Sequence, residues 1–521
     1  MSRLARPAVI VPVAVVAALV AGATVALPTG GTVALSGLSS AVLDAKALAV
    51  TSVSVVTGGH PALLLVDGRK VASASTGTLS ASLAGLSDGR HTVTAEVDRG
   101  LIQGKASSSR TITVDTRPPA LSVVLPTSPV RVRDAVTVSG RTDPGARVAS
   151  REGTVTTTGD GFSIRYRTAP VGDVVTATDA AGNAVTRTVT VRTTYPSNVR
   201  GVHMTGRAWA YLPLREPVLA LVRAHKINAI QLDIKDEDGI VNYVSSVPLA
   251  RTVGANLDLY DPRKVTAQLH AMGVRVIGRI VAFNDPKLVG WAVAHGHRDW
   301  VIQDPRGGTY RYGYNKHGFG NFANPNVRAY NRDLAVEAAK AGFDDVVFDY
   351  VRRPDGPLAT MRFPGLVGTP SAAIASFLGQ VQPLVRAAGG SLGAAAFAQA
   401  STRPLSTAQD IPAMAKHLDV VIPMDYPSHW NDGEYGVPNV YAGARQIVQR
   451  SLVDWKKAVA GTGCVVVPWL QDENFRGAYT PAKVKEQIAG ARDVGLPGWL
   501  MWSAVSRFTA SAYTSDATPA R

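Results

Sequence analysis

From Tyr195 onward, the chain alternates short apolar runs with longer amphipathic stretches, and this alternation is what most limits the possible folds. The apolar runs are, in order, RGVHM, AIQLDIKD, VRVIGRIVAF, DDVVFDYV, SLGAAAFA, DVVIPMDYP, CVVVPWLQD and GWLMWSAV. Segments such as VRAYNRDLAVEAAKAG lie between them, and several end in a glycine where a helix C-cap would fall. Apolar strands that alternate with helices are typical of a parallel sheet covered on both faces.

Eight strand candidates predict a (β/α)₈ TIM barrel over residues 196–515, with an insertion after the third strand. An open, doubly wound sheet is the alternative, and it is less favoured because no glycine-rich phosphate turn follows the first strand. The inserted segment 306–326 contains Tyr310, Tyr312 and Tyr314. These rings suit stacking on a glycan if the segment walls the cleft, and a long connecting loop is the other interpretation.

Residues 30–194 have a different composition, rich in Thr, Val, Ser and Gly. Short alternating runs such as HTVTAEV and SRTITVD are separated by turn signals, which is typical of antiparallel strands in a sandwich. The pattern recurs as DVVTATDAAGNAVTRTVTVRT, so we predict two modules, 30–116 and 117–194, joined at TRPPA. They resemble bacterial immunoglobulin-like modules, and a spacer role is favoured over a ligand-binding role.

The N-terminal segment 1–28 has the layout of an export signal. Arg3 and Arg6 precede an uncharged apolar stretch at 8–27, which is long enough to act as a membrane anchor or to be cleaved as a signal peptide. Either outcome places the rest of the chain outside the cytoplasm, secreted or anchored to the cell membrane.

Charge and cysteine content exclude several classes of function. The formal net charge of +15 suits an anionic partner such as an acidic cell-wall polymer, whereas nucleic acid is not expected because the basic residues are scattered and no recognition motif accompanies them. The single cysteine, Cys464, rules out an intramolecular disulfide and a cysteine-based zinc site. The histidines show no ligand-like spacing, so neither a metal nor a cofactor is expected, and the oligomeric state stays open.

Acidic residues follow four of the predicted barrel strands. They are Asp233 and Asp236 after the second strand, Asp349 after the fourth, Asp425 after the sixth, and Asp472 with Glu473 after the seventh. Active sites of TIM barrels lie at these carboxyl ends of the strands. Hydrolysis of a glycosidic bond requires two carboxyl groups, one on each side of the bond that breaks.

Aromatic residues accompany the acids at the same strand ends. They are Tyr350, Tyr426, Trp430, Trp469 and Trp502. Because aromatic faces stack on the C–H faces of a sugar while carboxylates bind its hydroxyls, this combination favours a carbohydrate site. A serine hydrolase is disfavoured, since no Gly-X-Ser-X-Gly elbow occurs near a strand end.

Six stretches of the chain resemble a family of glycoside-hydrolase-like barrels of unknown function, distantly related to α-amylase-like barrels. They are NAIQLDIKDEDGIVNY, GVRVIGRIVAFND, GFDDVVFDYVRRPDG, DVVIPMDYPSHW, VVPWLQD and GLPGWLMWSAVSRF, in that order between Gly201 and Phe508. The resemblance implies a barrel that acts on a polysaccharide, with the nucleophile on the fourth strand and the acid on the fifth.

One position departs from the family pattern, because Ala395 stands where relatives carry the acid of the fifth strand. We therefore predict Asp349 as nucleophile or electrostatic stabiliser and Asp425 as proton donor, with Asp472 or Glu473 as the next candidates for the second role. The alternative is a cell-surface barrel that binds a glycan without cleaving it.

Other residues are predicted to contact the substrate. They are Asp233, Asp236, Arg279, Tyr350, Tyr426, His429, Trp469, Asp472 and Trp502. Structural roles are open for several candidates: Asp349 could pair with Arg352 or Arg353, Asp236 with Lys235 or Arg279, and His429 could fix its own loop.

Overall fold

The computed structural model describes residues 33–101, 103–313 and 316–520. The chain divides into two compact units. The first contains the described residues up to 119 together with 145–147 and 178–185, and the second contains 120–144, 148–177 and the chain from 186 onward. The predicted export segment and Tyr314 lie outside the described residues.

The first unit is built from two sheets. One sheet has the strand order Leu35–Ser36, Ser52–Val56 and Thr78–Ser82. The other has the order Val42–Leu43, Lys105–Val114, Gly89–Asp98, Ala62–Val66 and Arg69–Ala74. In the chain, the helix Ala45–Val50 lies between the strands Val42–Leu43 and Ser52–Val56. Burial alternates along Gly89–Asp98, and inward side chains of both sheets, among them Val53 and Val93, form one core. This alternation is the period-2 pattern from which the strands were predicted.

Residues 121–189 add two further sheets. One has the order Thr154–Thr158, Gly161–Tyr166, Val136–Thr142 and Leu121–Val124, and the other has the order Arg147–Ser150, Asp173–Thr178 and Ala184–Val189. The described residues between 33 and 189 are thus rich in strands, with one helix at Ala45–Val50, and the prediction of a β-rich N-terminal region is confirmed. The finer prediction of immunoglobulin-like modules stays a prediction.

Eight parallel strands close into a barrel in the second unit, which confirms the TIM-barrel prediction. The strands are β1 (Arg200–Met204), β2 (Ala229–Lys235), β3 (Arg275–Val281), β4 (Asp345–Asp349), β5 (Ser391–Phe397), β6 (Val420–Met424), β7 (Val465–Val466 and Trp469–Gln471) and β8 (Trp499–Trp502). Strand β8 pairs with β1 and β5 pairs with β6, so the sheet has no open edge and the doubly wound alternative is excluded.

Helices cover the outside of the barrel. They are α1 (Leu212–Arg223), α2 (Pro262–Ala271), α3 (Pro325–Ala341), α4 (Pro370–Ala387), α5 (Ile411–Ala415), α6 (Ala444–Ala458) and α7 (Pro481–Asp493). Further helices, Gly206–Ala210, Pro248–Thr252 and Pro286–Ala294, lie in the connections. Several begin at a proline that follows a capping residue, as at Asn324 before α3. Helix α3 ends at Gly342, whose φ of 112° satisfies the left-handed cap that the sequence predicts.

The strand residues divide by parity between the barrel interior and the helix layer. Inward positions such as Val347, Ile422 and Leu500 form one core, while their neighbours Val346 and Val421 pack with the helices in a second core. The strands are buried on both faces for this reason.

The connection from β3 to α3 is long, as predicted, and carries the helix Pro286–Ala294 and the irregular segment that contains Tyr310 and Tyr312. Tyr310 is buried and donates its hydroxyl to the carbonyl of Asp355 at 3.2 Å, whereas Tyr312 is half exposed. Within the described ranges, no helix combines the length and the apolar character needed to cross a bilayer.

Candidate active site

Arg279 of β3 lies at the centre of the barrel mouth, with 2% of its side chain exposed. Its Nε and Nη2 donate to Oδ2 of Asp349 at 3.0 and 2.7 Å, and its Nη1 donates to Oδ1 of Asp233 at 2.9 Å. Nη2 also donates to Glu237, whose side chain is about half exposed. One guanidinium therefore holds three carboxylates from the ends of β2 and β4.

Asp233 is fully buried and has a second partner, since Nε2 of His203 lies 2.9 Å from its Oδ1. Burial alone would raise the pKa of Asp233, but His203 and Arg279 outweigh it and hold the pKa below its usual value. An ionised carboxylate can only accept, so Nε2 of His203 carries a proton, and Nδ1 has no hydrogen-bond partner among the described residues.

Asp349 is predicted from the sequence as the main catalytic residue, and the structure directs it into the barrel mouth. Its Oδ1 accepts the backbone N–H of Tyr350 at 2.7 Å, while Arg279 occupies Oδ2. Tyr350 has a φ of 49°, a left-handed conformation that a bulky residue rarely adopts. Its ring lies against Phe319 of the inserted segment, with a centroid distance of 6.2 Å.

Three predicted aromatic residues, Tyr426, Trp469 and Trp502, form a wall beside this cluster. The Tyr426 ring stacks on Trp502 at 5.4 Å and lies 6.4 Å from Trp469, while Cζ of Arg279 lies 5.7 Å from the Trp469 ring. Trp502 is partly exposed, so its ring is open to the mouth. Burial, followed by the charge of Asp349, holds the pKa of Tyr426 well above its usual range, and its hydroxyl stays neutral.

His429 is exposed at the same edge of the mouth, and its ring lies 5.1 Å from that of Tyr426 and 6.2 Å from Phe475. The structure therefore brings His429 to the aromatic wall rather than into the buried cluster.

Several buried polar atoms of the barrel interior have no hydrogen-bond partner among the described residues. They are Nδ1 of His203, both amide atoms of Gln231, Oδ2 of Asp233, the Tyr426 hydroxyl and Nε1 of Trp469. An unpaired buried polar atom is expensive and rare. Their concentration in one region is what a site for a polar ligand would produce.

Asp425 does not join Asp349. It follows the inward residue Met424 by one position and faces the helix layer, where its Oδ1 accepts Nε1 of Trp430 at 3.0 Å. Both Asp425 and Trp430 are fully buried. Burial raises the pKa of Asp425 to about 8, and the hydrogen bond from Trp430 only partly offsets this. The predicted pairing of Asp349 with Asp425 is not found in the structure, because the two side chains lie on opposite sides of the barrel wall.

Asp472 is likewise turned away from the mouth. Its carboxylate accepts the backbone N–H of Thr509 at 2.8 Å, the Thr509 hydroxyl at 2.6 Å and the Tyr513 hydroxyl. These bonds anchor the C-terminal segment to β7. Its neighbour Glu473 is partly exposed, accepts the N–H of Ala504 at 2.5 Å, and lies close enough to the Tyr426 hydroxyl to contribute to its raised pKa.

Asp236 belongs to the turn after β2. Its Oδ1 accepts the N–H of Ile240 at 3.0 Å and that of Asp238 at 3.1 Å. Burial, with further contributions from the negative charges of Asp233 and Glu237, raises the pKa of Asp236 to about 6. The predicted pairing of Asp236 with Lys235 or Arg279 does not appear among the described ion pairs of either cation.

Lys235 instead forms buried hydrogen bonds outside the Arg279 cluster. It is fully buried, and its Nζ donates to Asp285 at 2.6 Å, to Oδ1 of Asn331 at 3.0 Å and to the carbonyl of Ala282 at 3.3 Å. Burial lowers the pKa of Lys235, and the Asp285 carboxylate opposes that effect. Lys235 thus joins the end of β2 to the residues that follow β3 and to α3.

Ala395 faces the barrel interior among Tyr426, Trp469 and Val347 and is fully buried. Strand β5 therefore supplies no carboxylate there. Cys464 is buried, and in the described ranges no group of three or more His, Cys, Asp or Glu side chains is arranged to hold a metal ion.

His203, Gln231 and Glu237 are functional-site residues that the sequence analysis does not name. Parity offered a signal for Gln231, since it lies two residues before Asp233 and must share its face. His203 is the Cα partner of Gln231 in the β1–β2 register, which only the structure shows.

A family model described as "Putative glycosyl hydrolase domain" matches residues 201–508, which is more than half of the chain. The chain belongs to this family. The family region contains all eight barrel strands except the first residue of β1, together with the whole Arg279 cluster and the aromatic wall.

Among solved structures, the family barrel is similar to a hypothetical protein from Ruminiclostridium thermocellum ATCC 27405, with 30% identity over 37% of this chain and 96% of that one, and a TM-score of 0.32. It is also similar to the PgaB (BpsB) glycoside hydrolase domain from Bordetella bronchiseptica, with 16% identity, 59% and 94% coverage and a TM-score of 0.44. An endo-beta-1,4-mannanase from Thermotoga petrophila shows 11% identity, 58% and 67% coverage and a TM-score of 0.40. No match was found among curated proteins.

Proposed function

We propose that the barrel is a glycoside hydrolase that acts on a cell-wall or extracellular polysaccharide. The observation that carries the proposal is the position of Asp349, which Arg279 and the N–H of Tyr350 fix at the barrel mouth beside the Tyr426–Trp502 wall. A carboxylate beside aromatic faces is the arrangement that glycosidic bond cleavage requires, because one surface holds the sugar while the carboxylate acts at its anomeric carbon.

In this proposal, Asp349 attacks the anomeric carbon or stabilises the positive charge that develops there. Glu473 is the proposed proton donor in place of Asp425. It is supported by its partial exposure just beyond β7, and by the contribution that its charge, like that of Asp349, makes to the raised pKa of Tyr426. The proton passes to the glycosidic oxygen as the bond to the anomeric carbon breaks, and water supplies the hydroxyl group of the product.

A second candidate is a glycan-binding barrel without hydrolytic activity. Two observations favour it: Ala395 leaves β5 without an inward acid, and both oxygens of Asp349 already accept hydrogen bonds from Arg279 and Tyr350. A carboxylate held in this way stabilises positive charge well but needs a rearrangement before it can attack carbon.

For location, we propose export, with the two predicted modules, 30–116 and 117–194, acting as a spacer. Residues 1–28 support export through their basic start and apolar stretch. Anchoring to the membrane depends on whether this segment is retained, and cleavage would release a secreted enzyme.

The test uses the full chain on a panel of soluble polysaccharides and aryl glycosides, with Asp349→Asn, Glu473→Gln and Asp425→Asn as variants. We expect Asp349→Asn to lose at least ~100-fold in kcat on every substrate that the parent cleaves. Glu473→Gln is expected to lose activity on polysaccharide but to keep it on aryl glycosides whose leaving group needs no proton. Binding by all proteins with cleavage by none supports the binding barrel instead.

A further inference from the structure

The interior just below the Arg279 cluster carries more unpaired polar atoms than the proposed chemistry uses. His203 and Gln231 are paired in register on β1 and β2, and Asp233 follows two positions later on the same face. Trp469 of β7 closes the group, with its ring 5.6 Å from that of His203. All four side chains are at least 97% buried.

The chemistry of these atoms is mixed. Nε1 of Trp469 is a donor, Oδ2 of Asp233 is an acceptor, and the amide of Gln231 offers both. A hydroxyl group is donor and acceptor at once, so a group of neighbouring hydroxyls on one ring can satisfy all of them. An anionic group lacks the donor that Oδ2 of Asp233 needs.

The charges around Arg279 also favour a neutral ligand over an anionic one. Three carboxylates, those of Asp233, Glu237 and Asp349, share the single guanidinium of Arg279. Asp233 and Asp349 are buried, so that Coulomb repulsion of a further anion is poorly screened there, whereas Glu237 is about half exposed and His203 also contacts Asp233. A uronate or sulfated sugar would meet that repulsion, whereas a neutral sugar would not.

We infer that Gln231, His203 and Trp469 form the floor of a subsite that binds one neutral, hydroxyl-rich glycosyl unit and selects it against uronic acids. The inference rests on the proposed function, since it names the sugar class that the same site takes. Gln231 determines specificity through hydrogen bonds to ring hydroxyls and lies below the reacting carboxylate Asp349.

Gln231→Leu separates this role from a structural one. Leucine has a similar size, and removing a buried amide without described partners is expected to raise Tm. If the amide binds sugar, the same change weakens binding by about tenfold, the loss of roughly one well-made hydrogen bond to the ligand. Gln487→Leu is the matched control, because the Gln487 amide is fully buried but bonded to the backbone of Gln471 at 2.8 and 2.9 Å. That control is expected to lower Tm and leave binding unchanged.

The experiment measures binding by calorimetry to the full chain carrying Glu473→Gln, which keeps the three carboxylates around Arg279, alone and combined with Gln231→Leu, Trp469→Phe or Gln487→Leu. The probes are neutral hexasaccharides of glucose, mannose and galactose, each compared with the uronic acid oligomer of the same linkage. We expect a neutral oligomer to bind at least tenfold more tightly than its uronate counterpart, and Gln231→Leu and Trp469→Phe to weaken that binding.

Equal or tighter binding of uronates overturns the inference, and so does failure of every neutral probe to bind. Unchanged affinity in Gln231→Leu together with a raised Tm also overturns it, since the polar floor then holds only solvent. Binding is measured without turnover, so the result for the subsite does not depend on the result for the proposed hydrolysis. A parent that binds neutral oligomers through Gln231 yet cleaves none refutes the proposed hydrolysis and leaves the subsite standing.

Discussion

Asp349 and Asp425 both follow barrel strands, yet their carboxylates lie on opposite sides of the barrel wall. Asp349 faces inward onto Arg279, whereas Asp425 faces outward onto the indole N–H of Trp430. Two acids that are equivalent by their place in the sequence are therefore expected to behave differently when they are changed.

Asp425→Asn is expected to retain activity and to change the pH dependence of stability. The folded-state pKa of about 8 lies above the value of ~3.9 of an unfolded aspartate, so the stability linked to the bound proton is present at low pH and is lost as the pH rises from about 4 to about 8. Asparagine keeps an acceptor for Trp430 and carries no charge. The variant should gain free energy of unfolding relative to the parent as the pH increases through this window.

Urea denaturation at pH 5 and pH 8 measures that difference directly. A variant whose stability relative to the parent is the same at both pH values would contradict the assignment of Asp425 as a buried neutral acid. A loss of activity comparable to that of Asp349→Asn would restore Asp425 as a catalytic candidate.

Arg279→Met is expected to lower the free energy of unfolding by ~3–5 kcal/mol, because it leaves the buried carboxylates of Asp233 and Asp349 without their cation. Arg279→Lys keeps the charge but cannot bridge three carboxylates with one ammonium group, so an intermediate loss is expected. Combining Arg279→Met with Asp233→Asn should recover part of the loss. Equilibrium denaturation checks the series, and a loss below ~1 kcal/mol for Arg279→Met would mean that solvent reaches the cluster.

The barrel could be predicted from the sequence because buried parallel strands and the helices that cover them have a recognisable sequence pattern, in which near-continuous apolar runs alternate with amphipathic segments. Because the strands are apolar on both faces, the same pattern does not show which residues form the site. A strand that is apolar on both faces, such as VVIPM in β6, does not reveal which parity points inward, so the sequence could not show which of Asp425 and Tyr426 faces the barrel interior.

The closure of the barrel supplies the missing information. Arg279 belongs to β3 and its partners to β2 and β4, and only the pairing register of the closed sheet brings them to one level. Glu237 could not be identified as a site residue because the sequence does not show that Arg279 lies within its reach. His203 carries no spacing signal at all, since its role depends on β1 pairing with β2.

Lys235→Met is expected to destabilise the barrel by ~3–5 kcal/mol, since it leaves Asp285 charged and buried at the start of the helix Pro286–Ala294. Asp285→Asn in the same chain should restore much of the loss, because asparagine still caps the helix through the N–H of Leu288 and no longer needs a cation. Denaturation of the two single variants and the double variant gives the coupling energy. Additive losses would show that Lys235 and Asp285 are stabilised independently.

His91 in the first unit gives a pH dependence that is unrelated to the barrel. Its Nδ1 lies 2.6 Å from Oδ2 of Asp67 and its Nε2 lies 2.7 Å from the carbonyl of Ser87, so both nitrogens face acceptors and only the imidazolium can donate to both. The bond to Asp67, followed by the Ser87 carbonyl, raises the pKa of His91 above its usual value. A raised folded-state pKa means that this stabilisation is complete below the unfolded pKa of ~6.5 and is lost as the pH rises through the folded value.

Amide hydrogen exchange in the strand Gly89–Asp98, corrected for the intrinsic rate, should show protection that decreases across that range in the parent. His91→Gln is expected to remove the decrease, and a parent whose protection is independent of pH would show that His91 stays neutral.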